Sequence, residues 1–307
     1  MYAPLITVVT PSLNCVRYVR AALESVSNQD YPAIEHIIVD GGSTDGTLDV
    51  LQSYPHLQVI HQPGEGMYAA LNAGIRLARG QIIAWLNTDD LFAEGSLRAV
   101  SREFEARADA MAVSGSVEYF RGCDDAPEVF LRVPPVTDKD YWSRMVDTPA
   151  TNGWFFRPAI FDQVGFFQPA YRYVADREFF IRLALAGIHP VACTRTLYRY
   201  RQHDASSTIS AQDSRLPERG SQRIRVLLED LDMLEAFLRK EQVPTAARRV
   251  MRRSHGVRAY RLAATALFHH QIRLTMAAAA RGWAFEILWP LVFLRMAGKR
   301  LTRSREE

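Results

Sequence analysis

Two neighbouring carboxylates, Asp89 and Asp90, close the segment Trp85-Leu86-Asn87-Thr88-Asp89-Asp90, directly after an apolar run at 81–86. Like charges side by side repel and raise each other's pKa unless a cation lies between them. Magnesium and manganese are commonly held by one or two carboxylates plus substrate phosphates. The same pair also suits a solvated turn or the cap of the next helix, because Asp is a favoured N-cap. Asp40 ends a second apolar run (34–39) and opens Asp40-Gly41-Gly42-Ser43. There the glycines let a ligand approach the backbone, and the carboxylate can accept from a base or ribose. Ser43 or Thr44 can equally cap a helix, with Asp45 near the positive end of its dipole. Asp176 and Glu178 begin a helical pattern whose apolar face is Phe179, Phe180 and Leu183. Either acid can cap that helix or take a proton from an acceptor hydroxyl as general base. Arg201 and His203 lie in a polar stretch after a strand pattern, where a guanidinium can neutralise phosphate and an imidazole can ligate metal; a lone surface His more often does neither.

The elements that must position these groups alternate. Apolar, β-branched runs at 5–10, 34–39, 57–61, 81–86 and 111–117 predict strands. Helical spacing predicts helices over 14–28, 44–53, 66–79 and around Leu97, Val100 and Phe104, with Gly80 ending the third at its C′ position. Such alternation implies an α/β, doubly wound, Rossmann-like parallel sheet covered on both faces. Ligands of such sheets bind beyond the carboxyl ends of the strands, which is where Thr10-Pro11, Asp40 and Asp89-Asp90 fall. The second half predicts strands at 128–133, 190–194 and 197–201 and helices near 138–146 and 176–187, and from about 215 the pattern is purely helical.

Of the 307 residues, 48% are hydrophobic and 23% charged, an ordinary globular balance that excludes a mainly disordered chain. The net charge of +3 hides a split: residues 221–307 carry 17 Lys and Arg against 8 Asp and Glu, and the first 220 carry 20 against 26. Cys15, Cys123 and Cys193 lack metal-site spacing and fit a reducing compartment. The first residues read as a strand rather than a signal peptide, and no apolar run reaches the roughly 18–20 residues of a spanning helix. A cytoplasmic protein is expected. No GxGxxG follows the first strand, which excludes a Rossmann dehydrogenase. The Pro11-Ser12-Leu13-Asn14 that stands there, in place of a basic glycine-rich loop, argues against a nucleotidyltransferase.

Taken in order, ITVVTPSLN, SVSNQDYPAIEHIIVDGGSTDGT, GMYAALNAGIRLARGQIIAWLNTDD, WFFRPAIFDQVGFF, VADREFFIRL and YRQHDASS make the chain resemble the family 2 glycosyltransferases of the GT-A fold, from about Pro4 to Ser210. The resemblance implies a metal-dependent, inverting, non-processive glycosyltransferase that moves one sugar from a nucleotide-sugar, of which a UDP-sugar is the expected kind. Thr10, Pro11 and Asp40 would bind base and ribose, and Asn72, Asp89 and Arg201 would complete the donor site. Asp89, Asp90 and His203 would hold a divalent cation, Mn or Mg, with Asp89 ranked first and His203 in a loop that closes over the donor. Asp176 matches the catalytic base, with Glu178 as the alternative. The acceptor would be a lipid-linked or cell-surface glycan precursor. A non-catalytic nucleotide-sugar sensor or membrane-recruited scaffold is the competing reading.

The sequence departs from the family pattern in places. Ala69 stands where an Asp often follows the tyrosine, Gly64-Glu65-Gly66 lacks the Asp-Lys or Asp-Arg often seen just before the glycine, and no Gln-x-x-Arg-Trp motif is present. The expected division is a catalytic domain over 1–215 and a basic helical extension over 216–307. That extension alternates arginines with apolar residues and ends on an apolar stretch from Trp283 to Met296 followed by Lys299, Arg300, Arg303 and Arg305. It suits a peripheral membrane surface on the inner face of the cell membrane, self-association, or packing on the catalytic domain. No nucleic-acid reader is recognisable.

Overall fold

A computed structural model describes residues 3–122, 127–147, 151–203 and 217–285. The chain divides into two compact units, Met1–His203 and Asp204–Glu307. The expected boundary at 215/216, the closing loop after His203, Cys123 and the apolar stretch beyond Phe285 lie outside the described residues.

In the first unit, β1 (Ile6–Ser12), β2 (Ile34–Asp40), β3 (Gln58–His61) and β4 (Ile82–Trp85) alternate with α1 (Val19–Ser27), α2 (Thr47–Gln52) and α3 (Met67–Leu77). These four strands are parallel in the order β3-β2-β1-β4. Strand order reverses at β1, so a crevice forms at the carboxyl ends of β1 and β4. All seven residues of β1 are buried, which accounts for its unbroken apolar and β-branched run. Helix α3 lies close on β1: a Cβ at Gly74 would overlap Val9 Cγ1. Gly80 is not the C′ residue of α3, which ends at Leu77 with Ala78 as its cap. It is required by space instead, since a Cβ there would stand 2.5 Å from Thr7 Oγ1 and 2.6 Å from Thr7 N.

Past β4 the sheet ceases to be parallel. The elements are β5 (Leu91–Phe92), α4 (Ser96–Ala106), β6 (Ala112–Arg121), β7 (Glu128–Val133), α5 (Tyr141–Asp147), β8 (Trp154–Phe156), α6 (Ala159–Val164), α7 (Ala175–Leu185) and β9 (Val191–Arg201). β8 lies antiparallel between β4 and β6, β9 runs parallel to β6 and antiparallel to β5, and β7 pairs, among the described residues, with β6. The sheet is therefore mixed, which corrects the all-parallel expectation. The two strands expected at 190–194 and 197–201 are one strand, interrupted by register shifts opposite Gly115–Val117. Its main core is aromatic: Trp85, Trp154, Phe156, Phe167, Phe179 and Phe180 pack between the sheet and α7, with Trp85 stacked on Phe156 at 5.3 Å.

The second unit holds α8 (Pro217–Leu238), α9 (Thr245–Phe268) and α10 (Ile272–Phe285). Leu227, Leu231, Leu262, Ala263 and Ala278 bury together. Polar groups share this interior. Arg258 bonds Asp230, and Glu235 accepts from Arg281 at 2.7 Å and lies 3.1 Å from the buried His255 ring. Thus Arg239, Arg258 and Arg281 of the extension are ion-paired within the bundle rather than simply solvated. None of the described helices is long and apolar enough to cross a membrane.

Candidate active site

The carboxyl ends of β1 and β2 are stapled by side chains. Asp40 Oδ2 accepts from the N–H groups of Gly42 and Ser43, both at 2.9 Å, and Oδ1 from Ser43 Oγ at 2.5 Å. Burial alone would raise the Asp40 carboxyl. Those hydrogen bonds, with the His61 ring 3.5 Å away, outweigh it and hold the pKa below the usual carboxylate value. Across the crevice, Asn14 takes a left-handed backbone (φ 50°) and accepts from Thr44 N at 2.9 Å. Cys15 N donates to Thr47 Oγ1 and Val16 N to Asp45 Oδ2. These bonds explain why α1 starts at Val19, several residues later than its pattern suggests. Neither Ser43 nor Thr44 caps α2; Gly46 occupies that place, and Asp45 accepts from Thr47 N. The Thr10 hydroxyl turns inward, 2.9 Å from His36 Nε2, and Pro11 is buried in β1 opposite Val39.

After β4 the two adjacent acids part. Asp90 is 1% exposed. Its Oδ1 accepts from Arg201 N at 2.8 Å, and its Oδ2 from Tyr198 Oη at 2.7 Å and Asn87 Nδ2 at 3.1 Å. Burial pushes its carboxyl well above the ordinary range, and the Asp89 charge adds to the rise against those three bonds. The Asp89 side chain is 31% exposed, and its Oδ2 lies 3.0 Å from His203 Nε2. The His203 ring packs on Tyr18 at 4.7 Å. Arg201 does not reach outward: it is buried between the Tyr18 and Phe120 rings, and its Nε donates to the Asp89 carbonyl at 2.8 Å.

The acids of α7 part as well. Glu178 is buried, and both its oxygens accept from Arg182, at 2.8 and 3.0 Å from Nε. Arg182 also donates to the carbonyls of Val164 and Phe166. Asp176 is half-buried; its Oδ2 accepts from Thr151 Oγ1 at 2.7 Å and its Oδ1 from Arg177 N at 2.8 Å. Burial raises its pKa, and the bonds from Thr151, Arg177 and Tyr68 oppose that without cancelling it. Thr151 and Asn152 lead into β8. Because β8 is antiparallel to β4, they arrive at the carboxyl end of β4, where Asn152 Oδ1 accepts from Trp85 Nε1 at 3.3 Å. This is how α7, about ninety residues along the chain, brings Asp176 to the edge that carries Asp89.

Asn72 is buried and held by the backbone of Phe167, donating to its carbonyl at 2.8 Å and accepting from its N–H at 3.0 Å. It lines an open pocket of about 430 Å³ together with Gln62, Glu65, Ala69, Arg76 and Phe166. Tyr18, Thr151, Asn152 and Tyr198 join the site without a signal in the sequence, and Tyr68, known there only as part of a motif, joins it through Asp176. Their partners lie tens to more than a hundred residues away, and only the topology pairs them.

The family described as Glycosyl transferase family 2 matches residues 7–178, more than half of the chain. The chain belongs to glycosyl transferase family 2. An uncharacterized glycosyltransferase from Nostoc sp. is 28% identical over 218 residues, which cover 67% of this chain and 67% of that protein. A PGL/p-HBAD biosynthesis glycosyltransferase from Mycobacterium tuberculosis is 31% identical over 194 residues, 59% of this chain and 70% of its own length. The chain spans between 15% and 47% of three other curated relatives. Among solved structures, the mannosyltransferase PcManGT from Pyrobaculum calidifontis, in complex with GDP-Man and Mn2+, is similar with a TM-score of 0.61 at 20% identity, over 98% of this chain and 81% of that one. The fold of this family 2 glycosyltransferase is GT-A.

Among the described residues, Asp89 and His203 have the donor chemistry that a divalent cation takes. Asp89 Oδ2 and His203 Nε2 face each other at 3.0 Å, so these two side chains could hold such an ion together. Both are hard or borderline donors. Among the described residues no group of three His, Cys, Asp or Glu is gathered that could hold a metal ion by itself.

Proposed function

We propose that the chain catalyses metal-dependent, inverting transfer of one sugar from a nucleotide-sugar, a UDP-sugar by family resemblance, to an acceptor hydroxyl in the building of a polysaccharide or glycoconjugate. The observation that carries this reading is the pairing of Asp89 and His203 on the edge to which Thr151 and α7 deliver Asp176. The solved neighbours support a nucleotide-sugar donor, since one holds GDP-Man with Mn2+ and another, S. aureus TarS, holds UDP-GlcNAc. The glycoconjugate role is supported by the mycobacterial relative's name.

Asp89 and His203 would hold the cation, which when bound stabilises the charge developing on the departing diphosphate. Arg201 fixes the turn by its bond to the Asp89 carbonyl. Asp176, oriented by Thr151 and Arg177 and made more basic by burial, takes the proton of the acceptor hydroxyl. The acceptor oxygen then bonds to the anomeric carbon as the bond from that carbon to the diphosphate oxygen breaks. The electron pair leaves with the nucleoside diphosphate, and the configuration inverts. The Asp40 turn and the ends of β1 and β2 form the floor for base and ribose.

The helical unit supports contact with an anionic membrane surface, on the cytoplasmic side. Helix α9 carries six Arg and no acidic residue, and Ile272, Met276 and Trp283 are exposed on α10. A panel of nucleotide-sugars with Mn²⁺ and candidate acceptors tests the catalytic reading by product formation and nucleotide release. No transfer and no donor hydrolysis with any donor would overturn it.

A further inference from the structure

The ring of Tyr18, at the entry to α1, packs on the far end of the chain's first unit. Gln202 N donates to the Phe120 carbonyl at 2.8 Å, so the ladder with β6 continues past the end of β9. In that extended run Arg201 and His203 project to the same side, and Tyr18 covers both. The Arg201 guanidinium stands 5.1 Å from the centre of its ring, and the His203 ring 4.7 Å, tilted by 34°. The same guanidinium packs on the fully buried Phe120 at 4.7 Å. Contacts therefore run unbroken from core to crevice, through Phe120, Arg201, Tyr18 and His203 to Asp89.

The backbone under Tyr18 is fixed as well. Tyr18 N and Val19 N both donate to the Cys15 carbonyl at 2.9 Å. Cys15 N donates to Thr47 Oγ1 at 2.9 Å, and Cys15 Sγ accepts from Thr88 Oγ1 at 2.8 Å. Thr88 immediately precedes Asp89, so the turn that carries Tyr18 is bonded to the turn that carries Asp89. A histidine side chain rotates about two bonds, and ordering it costs conformational entropy. The contact with Asp89 fixes one atom of the imidazole; the contact with Tyr18 fixes its plane.

We propose that Tyr18 is a positioning residue, whose aromatic face holds the His203 imidazole with Nε2 toward Asp89 and so preorders the pair for a cation. This rests on the reading of Asp89 and His203 as the cation-binding pair. The contribution lies in the ring rather than in the hydroxyl, since both contacts are with the ring.

Two readouts on the full chain test this, one of them without metal. In the metal-free chain, NMR of ring-labelled histidine follows the His203 resonance, assigned by its loss in His203→Ala. With UDP present, titration calorimetry follows the affinity for Mn²⁺. Tyr18→Leu should move the His203 resonance toward that of an unstacked histidine. It should also weaken Mn²⁺ about tenfold, the low end of what outer partners of metal-bound histidines carry. Tyr18→Phe, which restores the ring, should keep the resonance in place and the affinity within about twofold. In His203→Ala, adding Tyr18→Leu should cost less than about a further twofold, because the two residues act as one unit. Tyr18 is half-buried, and its variants should melt with the parent; if Tyr18→Leu melts lower, Tyr18→Met replaces it in the same cycle. A His203 resonance that Tyr18→Leu leaves in place overturns the proposal. So do equal losses in the Leu and Phe variants, or a Mn²⁺ loss that persists undiminished in His203→Ala. Parental Mn²⁺ affinity in His203→Ala would instead refute the cation role of His203, and the resonance alone then decides whether Tyr18 holds the ring.

Discussion

Asp176→Asn and Glu178→Ala, two residues apart on one helix, should fail in opposite ways. Glu178 is locked with Arg182, the two side chains being 9% and 18% exposed. Arg182 in turn ties down the Val164 and Phe166 carbonyls. Removing one partner of a buried pair costs about 3–5 kcal/mol. A unit of this size loses about 2–4 °C of Tm per kcal/mol, so Glu178→Ala should melt roughly 6–20 °C lower. Asp176→Asn keeps shape and an acceptor for Thr151, but cannot take a proton, so kcat should fall about 10²–10⁴-fold. Its stability should move the other way. Burial raises the Asp176 pKa in the folded chain, so its stabilising contribution is fully present below the unfolded-state pKa and is lost as pH rises through the raised folded value. At neutral pH the parent bears that cost and the Asn variant does not, so the variant should melt no lower than the parent. The same raised pKa should place the acid limb of kcat/KM above the ordinary aspartate value. Nucleotide release with and without acceptor, and thermal melts between pH 4 and 8, read all three quantities. Near-parental kcat in Asp176→Asn, or lost kcat with an unchanged Tm in Glu178→Ala, would refute the assignment.

Asp89→Asn should weaken Mn²⁺-dependent donor binding at least tenfold with an unchanged apo melting temperature, read by thermal shift with and without MnCl₂. Asp90→Ala should instead destabilise the apo chain, because the buried donors Tyr198 Oη and Arg201 N lose their acceptor at about 1–3 kcal/mol each; denaturant titration measures it. EDTA should abolish turnover, and Mn²⁺ or Mg²⁺ should restore it, with ligand-induced stabilisation of about 2.7 kcal/mol at a hundredfold excess over Kd. In the helical unit, burial lowers the His255 pKa against the pull of Glu235, with Arg281 and Arg258 adding to the fall. Its contribution is present above the unfolded histidine value and is lost as pH falls through the lowered one. Helical melting by circular dichroism should therefore weaken in acid, and less so in His255→Gln.

The parts of this architecture that were legible from sequence are those built on one repeating pattern. β1, β2, β4 and α3 each bury a continuous run or a 3.6-residue stripe, and a parallel sheet puts Asp40, Asp89 and Asp90 at its ligand-binding edge whatever follows. β5 and β8 were not legible, because two- and three-residue strands such as Leu91–Phe92 and Trp154–Phe156 have no period to detect. Their orientation makes the sheet mixed. Side-chain direction was equally hidden. Thr10, Asn72 and Arg201 sit where a donor-site residue is expected, yet their polar atoms bond His36, the Phe167 backbone and the Asp89 carbonyl. Those partners are 26 to 112 residues away, so no local pattern distinguishes a binding side chain from one that positions it.

Adjacent acids at a strand end pose an electrostatic problem that this site solves by division. If both carboxylates faced the crevice with no positive charge between them, each would raise the other's pKa, and the edge would be less stable. Here β9 removes one of them: Tyr198, Arg201 and the Asn87 amide surround Asp90 and fix the turn to the sheet. The backbone geometry that this imposes is what aims Asp89 outward at His203, two residues beyond the Arg201 that pins the same turn. The two elements carrying Asp89 and His203 are thus held to each other by the buried acid and its neighbours. A single substitution cannot exchange the roles, because Asp90 is enclosed by Tyr198, Arg201 N and Asn87 while Asp89 faces His203 instead of those donors.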